Sequence, residues 1–535
     1  MNKQSLSSVA IWVTPSLDNV AIAKSTLPVG LEIDDELISL KLKTNIPKGH
    51  RFATTEILAN TEIRQYGQPF ALSSGIHTGE LISESNTTFL PKGSRQINTR
   101  NSLVLPPFQG DIPTFQGFLR PDGLTGTRNW VVVIPTSMCS SHEAKKISEI
   151  AEQSDLFNRK KWNNVDGVTC IPHTFGCGCM DVKPEEAITR LGEFSTTLTM
   201  FKNVIQHPNV GAVLLVELGC EKTNLSELTK WITGQSSDPT DLPAAVRKPV
   251  QYISIQEQGG TKAAILAGLS AVESLLVEAN QNKRQTLPLE KLVLGLKCGG
   301  SDSFSGITAN PALGEASDLL IRAGGNSLIS EIPEFFGVEH LFASRAVNEK
   351  IESEVYTAIE RYRSYLLASG GNFEDNPSPG NRAGGLLNIT IKAIGAVAKS
   401  GHAPLVGVLN YLETIWKHPE RGLYLLYGPG YDQISTPALV ASGAQLICFT
   451  TGRGTGIGNA IAPVIKIASN PDLIASMGED MDIDAGKILS DNISVQTVGE
   501  EIFQKIIRVA SGELVKAEET KHREFNIWSE EKVTL

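Results

Sequence analysis

No apolar run in this chain reaches the ~18–20 residues of a helical membrane span, so a membrane partner is not expected. No block of lysine and arginine stands out either. With 48 basic and 58 acidic residues the formal charge is −10, which argues against nucleic acid as a partner. Cysteines number only seven, an odd count at wide spacing, and this excludes a disulfide framework. The first fifteen residues, MNKQSLSSVAIWVTP, have a short apolar core without a small-residue cleavage pattern, and no signal peptide is read there. Together these absences lead us to expect a cytoplasmic protein. What is present is ordinary for a globular chain, with 41% hydrophobic and 20% charged residues. At 535 residues one core is too few, and two to four domains are expected.

Residues 1–105 read as β: VAIWV, NVAIAK, LISLKLK and EIRQYGQPFALSS are short segments between turns such as PVG and IPKGH. Residues 105–118 carry three prolines and two glycines, so 106–118 read as a linker. From WVVVIP onward, apolar strands alternate with helical stretches. VGAVLLVELG and KLVLGL look like buried parallel strands, and residues 261–281 have the spacing of a core-facing helix. A break at 368–385 suggests one α/β domain over 119–370 and another over 371–535. The latter contains the helix LLNITIKAIGAVAKS, strands GLYLLYG and QLICFT, and a helical AIAPVIKIAS. The expected fold class is α/β: a small N-terminal β domain followed by two α/β lobes with mainly parallel sheets.

Residues 297–304, KCGGSDSF, put a thiol, two glycines, a serine and a carboxylate where a strand leaves its sheet. Ligands of open α/β sheets bind at that end of the strands. Cys177, Cys220 and Cys298 share this setting beside glycine, which suits a soft metal site or a thiolate as well as small buried hydrophobes. His173, four residues before Cys177, is a candidate base or ligand. Asp302 is either a helix cap or a proton-moving group. In FTTGRGTGIGNA, glycines at 452, 454, 456 and 458 fit neither the dinucleotide motif, with Ile457 and Asn459 in the third-glycine places, nor a P-loop. Arg453 and the Gly454 backbone, at an expected helix start, suit a carboxylate or phosphate. Arg128 and Asn129 precede the first strand of the α/β region, and His50 and His77 sit beside glycine turns of the β domain.

These stretches together resemble the altronate and galactarate dehydratases, a family of sugar-acid hydro-lyases. The shared motifs are DNVAIA, IPKGHRFA, RPDGLTGTRN, HTFGCG, LGCE, KCGGSDSFSGITANPALG, NPSPGN and TTGRGTGIGNAIAPVIK. The resemblance implies that the first hundred residues form the family's SAF-type β domain. It also implies loss of water from a 2,3-dihydroxy acid to give a 2-keto-3-deoxy acid, supported by iron(II) or manganese. On this reading His173, Ser301 and Asp302 carry the chemistry, while Arg128, Asn129, Gly299, Gly300, Arg453 and Gly454 hold a sugar-acid substrate. Cys177, Cys220 and Cys298, with His50 and His77 from the β domain, are the expected metal ligands, and three thiols also permit an iron–sulfur cluster. Cys179 is an extra thiol without an assigned role. The alternatives are a sulfolactate sulfo-lyase, which breaks a C–S bond after the same proton abstraction, and a non-catalytic sugar-acid binding protein. A homodimer, with the β domain reaching its own or its partner's crevice, stands open beside a monomer.

Overall fold

The chain is described here from a computed structural model covering residues 3–90, 104–154, 156–176, 193–221 and 248–530. The N-terminal segment is β, as its alternation predicts. Ala10–Ile11, Val20–Ala23 and Arg51–Ala53 form one antiparallel sheet, and Glu62–Gln65, Gln68–Ser73 and Thr87–Thr88 form another. Part of VAIWV is instead the end of a short helix, Leu6–Val9.

Two parallel sheets follow. The first has the order Gly167–Cys170, Trp130–Pro135, Val210–Glu217, Val250–Ser254. The second has seven strands in the order Leu405–Leu409, Leu423–Leu426, Asn326–Ile329, Val293–Cys298, Leu446–Thr451, Val464–Ala468, Ile483–Asp484. All of its pairings are parallel. Its inner strands are buried along their whole length, which is why they read as continuous apolar runs. Helices Ala309–Arg322 and Val495–Ala510 pack against each other beside this sheet.

Three sequence expectations are corrected. The boundary at 370/371 cuts through the seven-stranded sheet, because Val293–Cys298 pairs with Leu446–Thr451 across it. The strands instead divide between 254 and 293, around helix Thr261–Ala279. The linker contains a strand, Thr114–Leu119, which pairs with Gln285–Pro288 and buries Phe115 and Phe118 despite the nearby prolines. AIAPVIKIAS is a strand, Val464–Ala468, and not a helix. Pro463 blocks helix propagation, and a short β-branched run carries no periodicity that separates a buried strand from a buried helix.

The strand order matters for function. From Val293–Cys298 the chain proceeds to one side of the sheet, and from Leu446–Thr451 it proceeds to the other. The carboxyl ends of these two neighbours therefore flank a topological switch point, where open α/β sheets bind ligands.

Candidate active site

Three adjacent strands deliver the site. Val293–Cys298 runs into Gly299–Asp302, Leu446–Thr451 into Gly452–Gly454, and Val464–Ala468 into Ser469–Asn470. Gly300 turns the first loop with φ +55°. Gly452 is required by proximity, since a Cβ there would lie 2.3 Å from the Asp302 carboxyl carbon. Asp302 is the meeting point of the three loops. Its Oδ1 accepts from the Ser305 amide (2.8 Å), the Ser305 hydroxyl (2.7 Å) and the Ser469 hydroxyl (2.9 Å). Asn470 Nδ2 donates to its Oδ2 at 2.9 Å and to the Gly452 carbonyl at 2.9 Å. Burial raises the Asp302 pKa above the usual carboxylate value, and these hydrogen bonds oppose the rise without cancelling it.

Asp302 borders a cleft of ≈ 380 Å³ together with Lys48, Arg453, Asn470 and Asp472. Lys48 comes from the N-terminal domain and is ion-paired to Asp472, so that domain closes one side of the cleft. Arg453 is exposed, and its guanidinium makes no hydrogen bond among the described residues. The expected helix after it is absent, and the loop is held by Thr451 Oγ1, which accepts from the Arg453 and Gly454 amides at 3.3 and 3.0 Å. Ser301 is buried, and with Asp302 it lines a smaller cavity of ≈ 10 Å³, about the space of one water.

Below this crevice lies a buried ionic cluster. Lys399 Nζ is 3.0 Å from Cys298 Sγ and 3.0 Å from Glu331 Oε2. Lys297 is ion-paired to Glu331 and, at 2.7 Å, to Asp432. Glu331 holds the left-handed conformation at φ 82°, a strained backbone that the two lysine bonds stabilise. Burial first, then Glu331, pushes the Cys298 thiol up to about 11, although both lysines pull it down. Cys298 is therefore a protonated thiol fastening the end of its strand. Gly299 is packed just as closely, because a Cβ there would meet Asp432 at 2.5 Å.

Several expected site residues are structural. His173 is buried, with Nε2 2.8 Å from the Pro135 carbonyl and Nδ1 accepting from the Phe175 amide at 3.2 Å. Desolvation pushes its pKa down to about 4, so it is a neutral ring with both nitrogens engaged and not a base facing a substrate. Arg128 is fully buried and forms a fork with Glu518, both bonds 2.7 Å, while Nη1 donates to the Thr127 and Val509 carbonyls and Nη2 to that of Glu513. No donor is left for a substrate. Asn129 is spent in the same way on Arg120, Asn164 and Ala279.

Among the described residues no three His, Cys, Asp or Glu side chains are placed to hold a metal ion. Cys220 is exposed and follows the four-stranded sheet, whereas Cys298 ends a strand of the seven-stranded one. His77 is exposed and 2.8 Å from Glu56, away from the cleft. His50 faces a separate cavity between the N-terminal and C-terminal regions. Cys177 and Cys179 lie outside the described residues. The chemistry derived below uses the chain's own groups.

Residues missed in the sequence include Lys48, Arg51, Ser469 and Asn470. Asn470 carried a readable signal, since Asn before Pro marks a helix start, and it caps Pro471–Met477 by accepting from Leu473 at 2.9 Å. Lys48 and Arg51 flank His50 in KGHR but carry no local signal of the domain they touch.

Three domain families match the chain in order: the altronate/galactarate dehydratase SAF domain at residues 10–89, the D-galactarate dehydratase/altronate hydrolase second domain at 117–280, and the D-galactarate/altronate dehydratase C-terminal domain at 289–533. An altronate dehydratase of Bacillus subtilis (strain 168) is 32% identical over 96% of this chain and 97% of its own length. A galactarate dehydratase (L-threo-forming) of Escherichia coli (strain K12) is 35% identical over 92% of this chain and 91% of its own. A (2R)-sulfolactate sulfo-lyase subunit beta of Chromohalobacter salexigens is 30% identical over 77% of this chain and 96% of its own. With its three domains in the family's order and relatives matched nearly end to end, the chain belongs to the altronate/galactarate dehydratase family.

Proposed function

We propose that this protein is a hydro-lyase that dehydrates a sugar acid of the altronate or galactarate type to a 2-keto-3-deoxy acid, with its chemistry at the switch-point cleft. The observation that carries the site is the pairing of a buried carboxyl with raised pKa, Asp302, with a cation that has no side-chain partner among the described residues, Arg453, on neighbouring strand ends of one cleft. Arg453 holds the substrate carboxylate, and its guanidinium fork fits that group bidentately. Asp302 takes the proton from C2, and the electron pair forms the C2=C3 bond as the C3 hydroxyl leaves. The same carboxyl group returns its proton to the departing hydroxyl, which leaves as water. The enol then becomes the 2-keto-3-deoxy acid, as a proton from solvent adds at C3 and the C2 hydroxyl gives its proton up to solvent. Removing a proton beside a carboxylate builds negative charge, and Arg453 supplies the nearby positive charge that stabilises it, Lys48 being paired to Asp472. Ser469 and Asn470 keep the Asp302 oxygens fixed.

The test is to incubate purified protein with altronate, galactarate and sulfolactate, and to follow keto-acid formation and sulfite release. A 2-keto-3-deoxy product from either sugar acid is expected. Sulfite release from sulfolactate with no turnover of the sugar acids would overturn this reading in favour of C–S cleavage, and tight binding without a product would make the chain a binding protein.

A further inference from the structure

Arg51 is a buried cation without a counter-charge among the described residues. It lies on the N-terminal strand Arg51–Ala53 and is only 3% exposed. Its Nε donates to Gln65 at 2.5 Å, and Nη1 donates to the Ser303 hydroxyl (3.1 Å) and the Gly385 carbonyl (2.6 Å). Nη2 has no partner among the described residues, and no carboxylate there pairs with this guanidinium. Other buried arginines differ. Arg128 is forked to Glu518, Arg120 lies near Asp122 and Asp166, and Arg345 has all three of its nitrogens on Ser400 and the Ala403 carbonyl. Burial pushes Arg51 down to about 10, opposed only by the nearby Tyr66 phenol and by no carboxylate.

Taking a charge out of water costs several kcal/mol unless an opposite charge meets it. Arg51 borders a cavity of ≈ 260 Å³ that also receives His50, Arg382 and Glu84, the last two ion-paired to each other. Its hydrogen bond to Ser303 ties it to the loop that carries Asp302, and Gly384 and Gly385 line the Asp302 cleft and this cavity respectively.

We propose that the N-terminal domain contributes a second anion subsite, in which Arg51, beside His50 and the Arg382–Glu84 pair, binds a carboxylate of the substrate's far end and so favours dicarboxylic over monocarboxylic sugar acids. This rests on the sugar-acid reading above. It gives the N-terminal domain a part in substrate choice, and it assigns to Arg51 the second carboxylate that Arg128 has no free donor to read.

The test compares kcat/KM for galactarate and altronate in the wild type, Arg51→Lys and Arg382→Gln, with melting curves for each and calorimetric titration of both acids. Lysine keeps the charge and loses the fork. The galactarate-to-altronate ratio should fall about 10–100-fold in Arg51→Lys and about 3–10-fold in Arg382→Gln, on the scale of one charged hydrogen bond for each tenfold step. A purely structural role for Arg51 would lower the melting temperature and slow both acids equally, and an unchanged ratio would overturn the inference. If Arg51→Lys does not fold, the ratio in Arg382→Gln decides. A wild type that turns over altronate but binds galactarate no more tightly also overturns it, while leaving the dehydratase reading intact. A wild type inert to both acids removes that reading and this inference together.

Discussion

Arg128 precedes an interior strand of one parallel sheet and Arg453 follows an interior strand of the other, and their sequence settings look alike: an arginine among glycines and threonines beside a buried strand. Their physical situations are opposite. Arg128 is 0% exposed, and each of its nitrogens is hydrogen-bonded to Glu518 or to backbone carbonyls. Arg453 is exposed at a cleft and has no partner among the described residues. The same contrast runs through both regions. Asn129 and His173 are saturated in the first, whereas Asp302, though just as buried, accepts only the Asn470 bond on Oδ2 among the described residues and borders a cavity in the second. A residue type becomes available for chemistry when the fold leaves part of its bonding capacity unspent, and a sequence motif does not report that remainder.

The comparison can be broken at several points. Asp302→Asn keeps the shape and removes the proton acceptor, so kcat should fall by ~10²–10⁴-fold with a near-normal melting curve. Retained turnover would remove Asp302 from the chemistry. Arg128→Ala leaves Glu518 buried without its partner and should cost about 3–5 kcal/mol of stability, read by urea denaturation. Arg453→Lys should keep part of the activity lost in Arg453→Ala, because charge returns without the fork, and neither variant should change stability by more than ~0.5 kcal/mol.

The smallest effect is a pH dependence. His173 has its pKa lowered to about 4 from 6.5 by burial, so the unfolded chain binds the proton more readily. Its contribution is complete above about pH 6.5 and is lost as the pH falls towards 4, amounting to about 1–2 kcal/mol at pH 5. The pH slope of unfolding between 6.5 and 5 should be shallower in His173→Gln than in the wild type. Identical slopes would mean that the ring is not held neutral in the fold.

Much of the fold was legible. The strands Val210–Glu217 and Val293–Cys298 and the helix Thr261–Ala279 follow from apolar runs and periodicity, which are local properties. Val464–Ala468 is not distinguished from a helix in the sequence, because a buried run of four apolar residues around Lys466 fits either equally well. The division at 370 was misread because a proline- and glycine-rich stretch looks the same inside a domain as between two. The site was partly legible. Asp302, Gly452 and Arg453 lie in loops whose glycines announce close approach, but the partners that neutralise Arg128 are remote, Glu518 being 390 positions along the chain. Arg51 was hidden for the same reason in reverse, since its solitude is visible only once the domains are packed.

The most direct measurement is kcat/KM on the accepted sugar acid for Arg453→Ala and Arg128→Ala side by side, each corrected for its folded fraction. A fall of about 10–100-fold for Arg453→Ala, with folded Arg128→Ala close to the wild type, is the predicted result. Wild-type kinetics in Arg453→Ala with a large loss in folded Arg128→Ala would contradict the assignment of the chemistry to the switch-point cleft.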